Sequence, residues 1–278
     1  FFPSKINALT VLTYTLNNLM SISLLKIIRI YITKITKYNS PSLEIYRPQI
    51  TNDKISIIMS VFNEEEYIQK SIESIQNQTH KNFELLIYDD GSEDSTYKII
   101  KDIAEKDERI KIFGSKKIGL TKALNFLIEQ SKSDIIARQD GDDFSHPKRL
   151  EKQLPLILNN KYDLITCRAY KDPSESITSQ RLTKYFSESL VSNFKNPFIH
   201  GTYLMRKDTL LAIDGYDESF KYAQDYKLIK DFLRFGFKIR LLDSVLYTSG
   251  DKEQRISKLH KTEQQYFASC AKFQRFPT

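Results

Sequence analysis

Three aspartates fall within four positions at the end of an apolar run: Asp140, Asp142 and Asp143 in "DIIARQDGDDFSHPKRLEKQ" (134–153). Carboxylates crowded this way repel one another unless water, a cation or a binding partner offsets the charge. Asp140 and Asp142 are two apart, so on extended backbone they project to the same side. Hard dications such as Mg2+ and Mn2+ take carboxylate oxygens together with phosphate oxygens and water. Two carboxylates and a diphosphate repel, and a dication between them reverses that sign. A solvated acidic loop ahead of the Pro147 helix accounts for Asp143 as a cap, but not for all three.

Two further polar clusters end apolar runs. "ISIIMSVFN" (55–63) leads into Glu64, with Ser60 and Val61 at its carboxyl end. "FELLIYDD" (83–90) leads into Gly91 and Ser92. A carboxylate such as Asp90 can accept a hydrogen bond from a base N–H, although Asp, Gly and Ser also make strand-end turns and helix caps. In open α/β sheets ligands bind beyond the carboxyl ends of the strands, so three such clusters together say more than any one of them.

The elements that must position these residues alternate regularly. Strands are expected at 55–63, 83–90, 109–114, 134–140 and 162–170, and helices at 64–78, 94–107, 119–131 and 146–160. Continuous apolar strand-length runs suit parallel strands buried on both faces. In the 64–78 helix Ile68, Ile72 and Ile75 share a face, and Glu64, Glu65 and Glu66 fall in its first turn, where acid suits the helix dipole. Asp94 or Ser95 is a candidate cap for the next helix. This order argues for an α/β protein with a mostly parallel, doubly wound sheet and helices on both faces. The alternation fails after about residue 170. Residues 1–50 are therefore read as an N-terminal helical extension, 51–170 as the α/β half, and 171–278 as a region built onto the sheet to bind a second substrate.

Composition narrows the partners. The chain of 278 residues carries 42 Lys and Arg against 35 Asp and Glu, a net charge of +7 that favours polyanions. No Lys/Arg run with interleaved aromatics is present, so nucleic acid is not the expected partner. Cys167 and Cys270 form no metal or redox motif and read as unpaired thiols of a reducing compartment, the cytoplasm. The four histidines are scattered without zinc spacing. Residues 1–43 hold no Asp or Glu and repeat apolar residues at helical spacing, with no run of about 18 apolar residues. They read either as a basic amphipathic helix on an anionic membrane or as a helix packed on the domain.

"SIIMSVFNEEEYIQKSIESIQNQTHKNFELLIYDDGSEDST" followed by "IGLTKALNFLIEQSKSDIIARQDGDDFSHPKRLEKQ" resembles the family 2 inverting glycosyltransferases, over roughly Lys54 to Leu246. The resemblance implies a GT-A fold in which residues 51–170 bind the nucleotide-sugar and residues 171–278 bind the acceptor and supply the catalytic base. It implies an enzyme that moves one sugar from a nucleotide-sugar, most often UDP-linked, to a glycan, lipid-linked or protein acceptor. Ser60, Val61 and Glu64 would line the nucleotide site and Asp90 would bind the base. Asp142 would ligate a divalent cation, Mn2+ or Mg2+, with Asp140 contacting ribose or the metal's waters. "NPFIHGTYLMRK" (196–207) resembles the segment lining donor sugar and acceptor, with His200 and Gly201 as candidates; a plain turn before a strand explains Gly201 equally well. In "GYDESFKYAQDYKLIKDF" (215–232) the family's Glu-Asp pair is matched by Gln224 and Asp225, which makes Asp225 the expected base. Relatives often carry His or Arg after the last strand; here Lys252 or Arg255 would substitute. No Trp is present, so the Gln-x-x-Arg-Trp motif of processive synthases is absent. The expected setting is glycan assembly in the cytoplasm, on the inner face of the cytoplasmic membrane if residues 1–43 bind lipid. A catalytically inactive sugar-binding relative, or a sugar-nucleotide pyrophosphorylase, are the rival readings; the second should show a Gly-rich phosphate loop that "SVFNEEEYIQ" lacks.

Overall fold

The computed structural model describes residues 48–171, 176–178, 191–192, 195–250 and 260–277. The expected helix within 1–43, and Lys252 and Arg255, lie outside the described residues. The centre is a run of parallel strands: β1 (Ile55–Val61), β2 (Phe83–Asp89), β3 (Ile110–Phe113) and β4 (Ile135–Arg138), ordered β3-β2-β1-β4. Residues of β1 alternate between two cores, as the two-residue period of a strand requires. Ile57 and Met59 join the core under α1 (Ile68–Gln76) and α2 (Thr96–Ala104), whereas Ile58 joins the core under α3 (Leu120–Gln130). Helices on both faces explain why these strands read as unbroken apolar runs.

The second half continues the same sheet but not its direction. After β5 (Phe144–Ser145) and α4 (Arg149–Leu158) come β6 (Leu164–Lys171), β7 (Ser176–Ile177) and β8 (Leu204–Arg206). β8 pairs antiparallel with both β4 and β6, so the strand expected at 162–170 does not join the parallel set directly. Helices α5 (Lys207–Ala212) and α6 (Gln224–Arg234) precede β9 (Ile239–Ser249), which runs parallel to β6; α7 (Lys261–Phe273) packs against α6. The short β5 follows directly on β4 in sequence yet pairs antiparallel with the distant β9, Phe144 opposite Thr248. That pairing curls the sheet and carries the end of β9 back to the turn that bears the three aspartates.

One helix starts later than its pattern suggests. Glu64, Glu65 and Glu66 form a turn ahead of α1 rather than its first turn. The backbone N–H groups there are already taken: Glu64 N–H donates to Thr96 Oγ1 at 2.7 Å and Glu65 N–H to Asp94 Oδ2 at 3.1 Å. Asn63, at φ 53°, makes the bend that points them there.

A buried carboxylate fastens the first strands together. Glu84 on β2 accepts from Ser56 Oγ (2.7 Å), Lys111 Nζ (2.8 Å) and the Lys132 N–H (3.0 Å). Burial works to raise its pKa, but these donors outweigh it and hold the carboxyl at about 2 against an ordinary 4.5. A pKa depressed on folding stabilises above the unfolded value and loses that contribution as pH falls through the folded one. Allowing for solvent screening at Lys111, whose side chain is 41% exposed, the linkage contributes about 2 kcal/mol. Glu84→Gln is expected to lower unfolding stability by about that amount at pH 7, and denaturant titrations should show the gap closing between pH 4.5 and 2.

Candidate active site

The turn joining β4 to β5 is held from below by side chains that leave the solvent entirely. Arg138, the last residue of β4, is 1% exposed and its Nη2 donates to Asp140 Oδ1 at 2.5 Å. Arg149, which opens α4, is fully buried, and its Nη1 donates to the carbonyls of Arg138 (3.1 Å) and Gly201 (2.9 Å). Its guanidinium faces the Tyr247 ring at 5.5 Å. Buried Gln139 completes the turn by donating to the carbonyls of Asp140 and Asp143 and accepting from Ser145 Oγ.

The three aspartates have separate surroundings. Asp143 is buried and its Oδ1 accepts the Gly250 N–H at 2.9 Å, so it ends β9 rather than capping α4. Asp140 is pinned by Arg138, and its N–H points at the Tyr247 hydroxyl, 3.3 Å away. Asp142 is half-buried at the tip of the turn, and its negative charge helps raise the Tyr67 pKa, after burial and Glu66. Gly141, between the last two, lets the turn lie against β1: a Cβ there would come within 3.0 Å of Val61 Cγ1 and 3.3 Å of Glu64 Cγ.

Opposite this turn, residues His200–Thr202 form a single 3-10 turn. His200 Nε2 shares a 2.7 Å hydrogen bond with the Tyr216 hydroxyl, and its ring meets Tyr203 and Tyr216 edge-on. Burial, reinforced by the positive charge of Arg138, pushes the His200 pKa well down, so the imidazole is neutral. Tyr216 is itself gripped at its peptide group: its N–H donates to Asn125 Oδ1 (2.8 Å) and its carbonyl accepts from Asn125 Nδ2 (2.9 Å). Gly201 leaves no room for a side chain, for a Cβ there would lie 2.6 Å from Tyr247 Cζ and 2.8 Å from Asp140 Oδ2.

Asp225 opens α6, just after Ala223 at φ 52°. Burial pushes its carboxyl pKa up and the charge of Asp140 adds to that, against the N–H of Tyr226 and the side chain of Asn196. Asp140, His200, Gly201 and Asp225, drawn from both halves of the chain, thus share one electrostatic neighbourhood. Ser60, Val61, Glu64 and Asp90 sit along the adjoining strand ends, where the Asp90 N–H donates to the Val61 carbonyl at 2.8 Å. Asp90 does not stand open: its Oδ1 accepts the N–H groups of Ile118 (2.6 Å) and Gly119 (2.9 Å), fastening the loop that enters α3.

Several residues of the site went unread in the sequence. Phe62 follows β1 directly, is 36% exposed, and carries Lys117 Nζ 3.7 Å over its ring. An aromatic residue placed just after a strand-end motif is a usable signal. Arg149 and Tyr247 offered none, because their contacts span 52 and 107 residues of sequence.

Among the described residues no three His, Cys, Asp or Glu side chains converge to cage a cation. The oxygens of Asp142 and Asp140 fit a hard dication shared with phosphate oxygens and water, a set that needs only one or two carboxylates.

Parallel strands whose carboxyl ends meet an acidic helix start from a mixed second half make up a fold of the GT-A kind. Residues 56–213 match the model of Glycosyl transferase family 2, more than half of the chain, and the protein belongs to that family. EpsE of Bacillus subtilis (strain 168) is 34% identical over 70% of this chain and 72% of its own length. The O-antigen biosynthesis glycosyltransferase WbnJ of Escherichia coli is 36% identical over 63% of this chain and 70% of its own. The fold is shared with Staphylococcus aureus TarS 1-349, solved with UDP-GlcNAc, at TM-score 0.59 and 19% identity over 73% of this chain and 60% of that one. It is shared also with the mannosyltransferase PcManGT of Pyrobaculum calidifontis, solved with GDP-Man and Mn2+, at TM-score 0.66 and 14% identity over 88% and 70%.

Gly201→Ala forces a methyl group against Tyr247 and Asp140. It is expected to destabilise by about 1–3 kcal/mol in chemical denaturation. Adding Tyr247→Phe should recover only part of this, because the ring carbon Cζ and the Asp140 carboxylate still crowd the methyl.

Proposed function

We propose that the protein transfers a single sugar, with inversion, from a UDP-sugar to a hydroxyl of a glycan, lipid-linked or protein acceptor, in the assembly of a bacterial surface polysaccharide. The observation that carries this reading is the placement of Asp225, a carboxyl of raised pKa, within electrostatic reach of Asp140 on the opposite half. A single displacement at an anomeric carbon needs one carboxylate to accept the acceptor's proton as the new bond forms. Burial makes Asp225 a stronger base than a solvated aspartate.

The other residues are given roles by their positions. Ser60, Val61, Glu64 and Asp90 line the nucleotide end, and the exposed Phe62 ring is a platform on which a base can stack once Lys117 moves aside. Asp142 is assigned as the ligand of a divalent cation, Mn2+ or Mg2+, with Asp140 contacting ribose or the ion's waters. When bound, that ion supplies positive charge to the departing diphosphate. His200 and Gly201 shape the donor-sugar end of the site through Tyr216 and Tyr247, His200 as a neutral group. The name of WbnJ supports the pathway class, the ligands of TarS and PcManGT a nucleotide-sugar donor, and that of TarS a UDP-linked one. Residues 1–43 are proposed to rest on the anionic inner face of the cytoplasmic membrane; no helix among the described residues is long and apolar enough to cross one.

The test is nucleotide release from UDP-GlcNAc, UDP-glucose, UDP-galactose and GDP-mannose, with Mn2+ or EDTA. Release from a UDP-sugar that needs Mn2+ is expected. Asp142→Asn should lose the Mn2+-supported release, and Asp225→Asn should lower kcat by about 10²–10⁴. Full release in EDTA would contradict the metal assignment, and undiminished transfer by Asp225→Asn would contradict the base.

A further inference from the structure

Asn196 lies four residues before His200, in a segment whose sequence does not single it out. Its side chain lies against the Tyr203 hydroxyl and makes two hydrogen bonds that depend on each other. Oδ1 accepts the Phe198 N–H at 3.1 Å, which closes a tight turn. Nδ2 donates to Asp225 Oδ2 at 2.6 Å. With the amide oxygen committed to a peptide N–H, only the amino end can face the carboxylate, so a flipped amide would lose both bonds. The remaining groups that face Asp225 come from three other places. Asp140 approaches from the turn after β4, Tyr203 from the start of β8, and Tyr216 from the loop before α6; both hydroxyls are kept protonated by burial. The carboxylate also receives the N–H groups of Tyr226 and its own residue at the start of α6. Among the described residues, Asn196 is the side chain that hydrogen-bonds this carboxylate, and it does so from the second-half segment carrying His200 and Gly201.

We infer that Asn196 is a positioning residue for the base: by holding Oδ2 of Asp225 it sets the direction in which Oδ1 meets the acceptor hydroxyl. The inference rests on the reading of Asp225 as base. The same bond favours the ionised carboxylate over the neutral acid, opposing burial and the charge of Asp140. Losing it therefore has two effects: the carboxylate turns away from its productive direction, and it takes up a proton at higher pH. A residue that merely packed would produce neither.

Asn196→Ser and Asn196→Asp both keep an oxygen for the Phe198 N–H and so preserve the turn, but neither offers a neutral amide to Asp225. The Asp225 carboxyl is titrated by 13C NMR in the full chain without donor, its signal identified by its loss in Asp225→Asn. In parallel, nucleotide release is followed across pH with the UDP-sugar that turns over in the donor panel. For Asn196→Ser the Asp225 midpoint is expected to rise by about one pH unit. The acid limb of kcat should follow it, kcat should fall tenfold or more, and KM for donor should stay within about twofold of wild type. Asn196→Asp, which sets a second carboxylate against the first, should fall further. An unchanged Asp225 titration with unchanged kcat in folded Asn196→Ser overturns the inference. Transfer retained by Asp225→Asn overturns the base reading instead, and the two failures are distinguishable because the titration is read without donor.

Discussion

Two guanidinium groups buried beneath one turn set the terms for the rest of the molecule. Arg138 and Arg149 are 1% and 0% exposed, and Arg138 Nε and Arg149 Nε and Nη2 have no hydrogen-bond partner among the described residues. Burying such charges costs several kcal/mol each, and an ion pair with Asp140 does not reliably recover it. As a stabilising device the arrangement is poor. As a means of fixing register it is strong, because a buried guanidinium tolerates few positions for the carbonyls and carboxylate around it. Through Arg149 the end of β4, the turn bearing Gly201 and the aromatic ring of Tyr247 are located against one another.

The same charges link the two halves chemically. The positive Arg138 helps keep His200 neutral, while the negative Asp140 adds to the raised pKa of Asp225. Residues supplied by the parallel half thus influence protonation in the mixed half. The curl of the sheet makes this geometry available: β5 pairs with β9 rather than with a neighbour of β4, and the curl delivers Tyr247 to the Asp140 peptide. Gly201 then has to lack a side chain, since the room beside it belongs to Tyr247 and Asp140.

What was legible in the sequence follows from what acts locally. β1, β2 and α3 were readable because strands covered on both faces must be apolar throughout and amphipathic helices repeat at 3.6 residues. The aspartate cluster was readable because adjacent carboxylates are conspicuous whatever surrounds them. Less legible was anything satisfied at a distance. The glutamates 64–66 look like a helix start, yet the N–H groups of Glu64 and Glu65 bond to Thr96 and Asp94 some thirty residues on. Asp90 reads as an open ligand group but holds the loop at Ile118 and Gly119. Arg149, set among charged residues in "HPKRLEK", looks like part of a solvated helix face and is instead fully buried. The antiparallel insertion of β8 between β4 and β6 had no local signature either, since strand direction is decided by the connections around it.

In the proposed function the turn between β4 and β5 binds a diphosphate through a dication held by Asp142, while Arg138 keeps Asp140 in place. The most direct test of that proposal is a crystal structure of the full chain with UDP and Mn2+, the ion located by anomalous scattering. Manganese coordinated by an Asp142 carboxylate oxygen and by the diphosphate is expected, with the Arg138–Asp140 pair intact. Manganese bound away from Asp142, or a UDP diphosphate that lies clear of this turn, would contradict it.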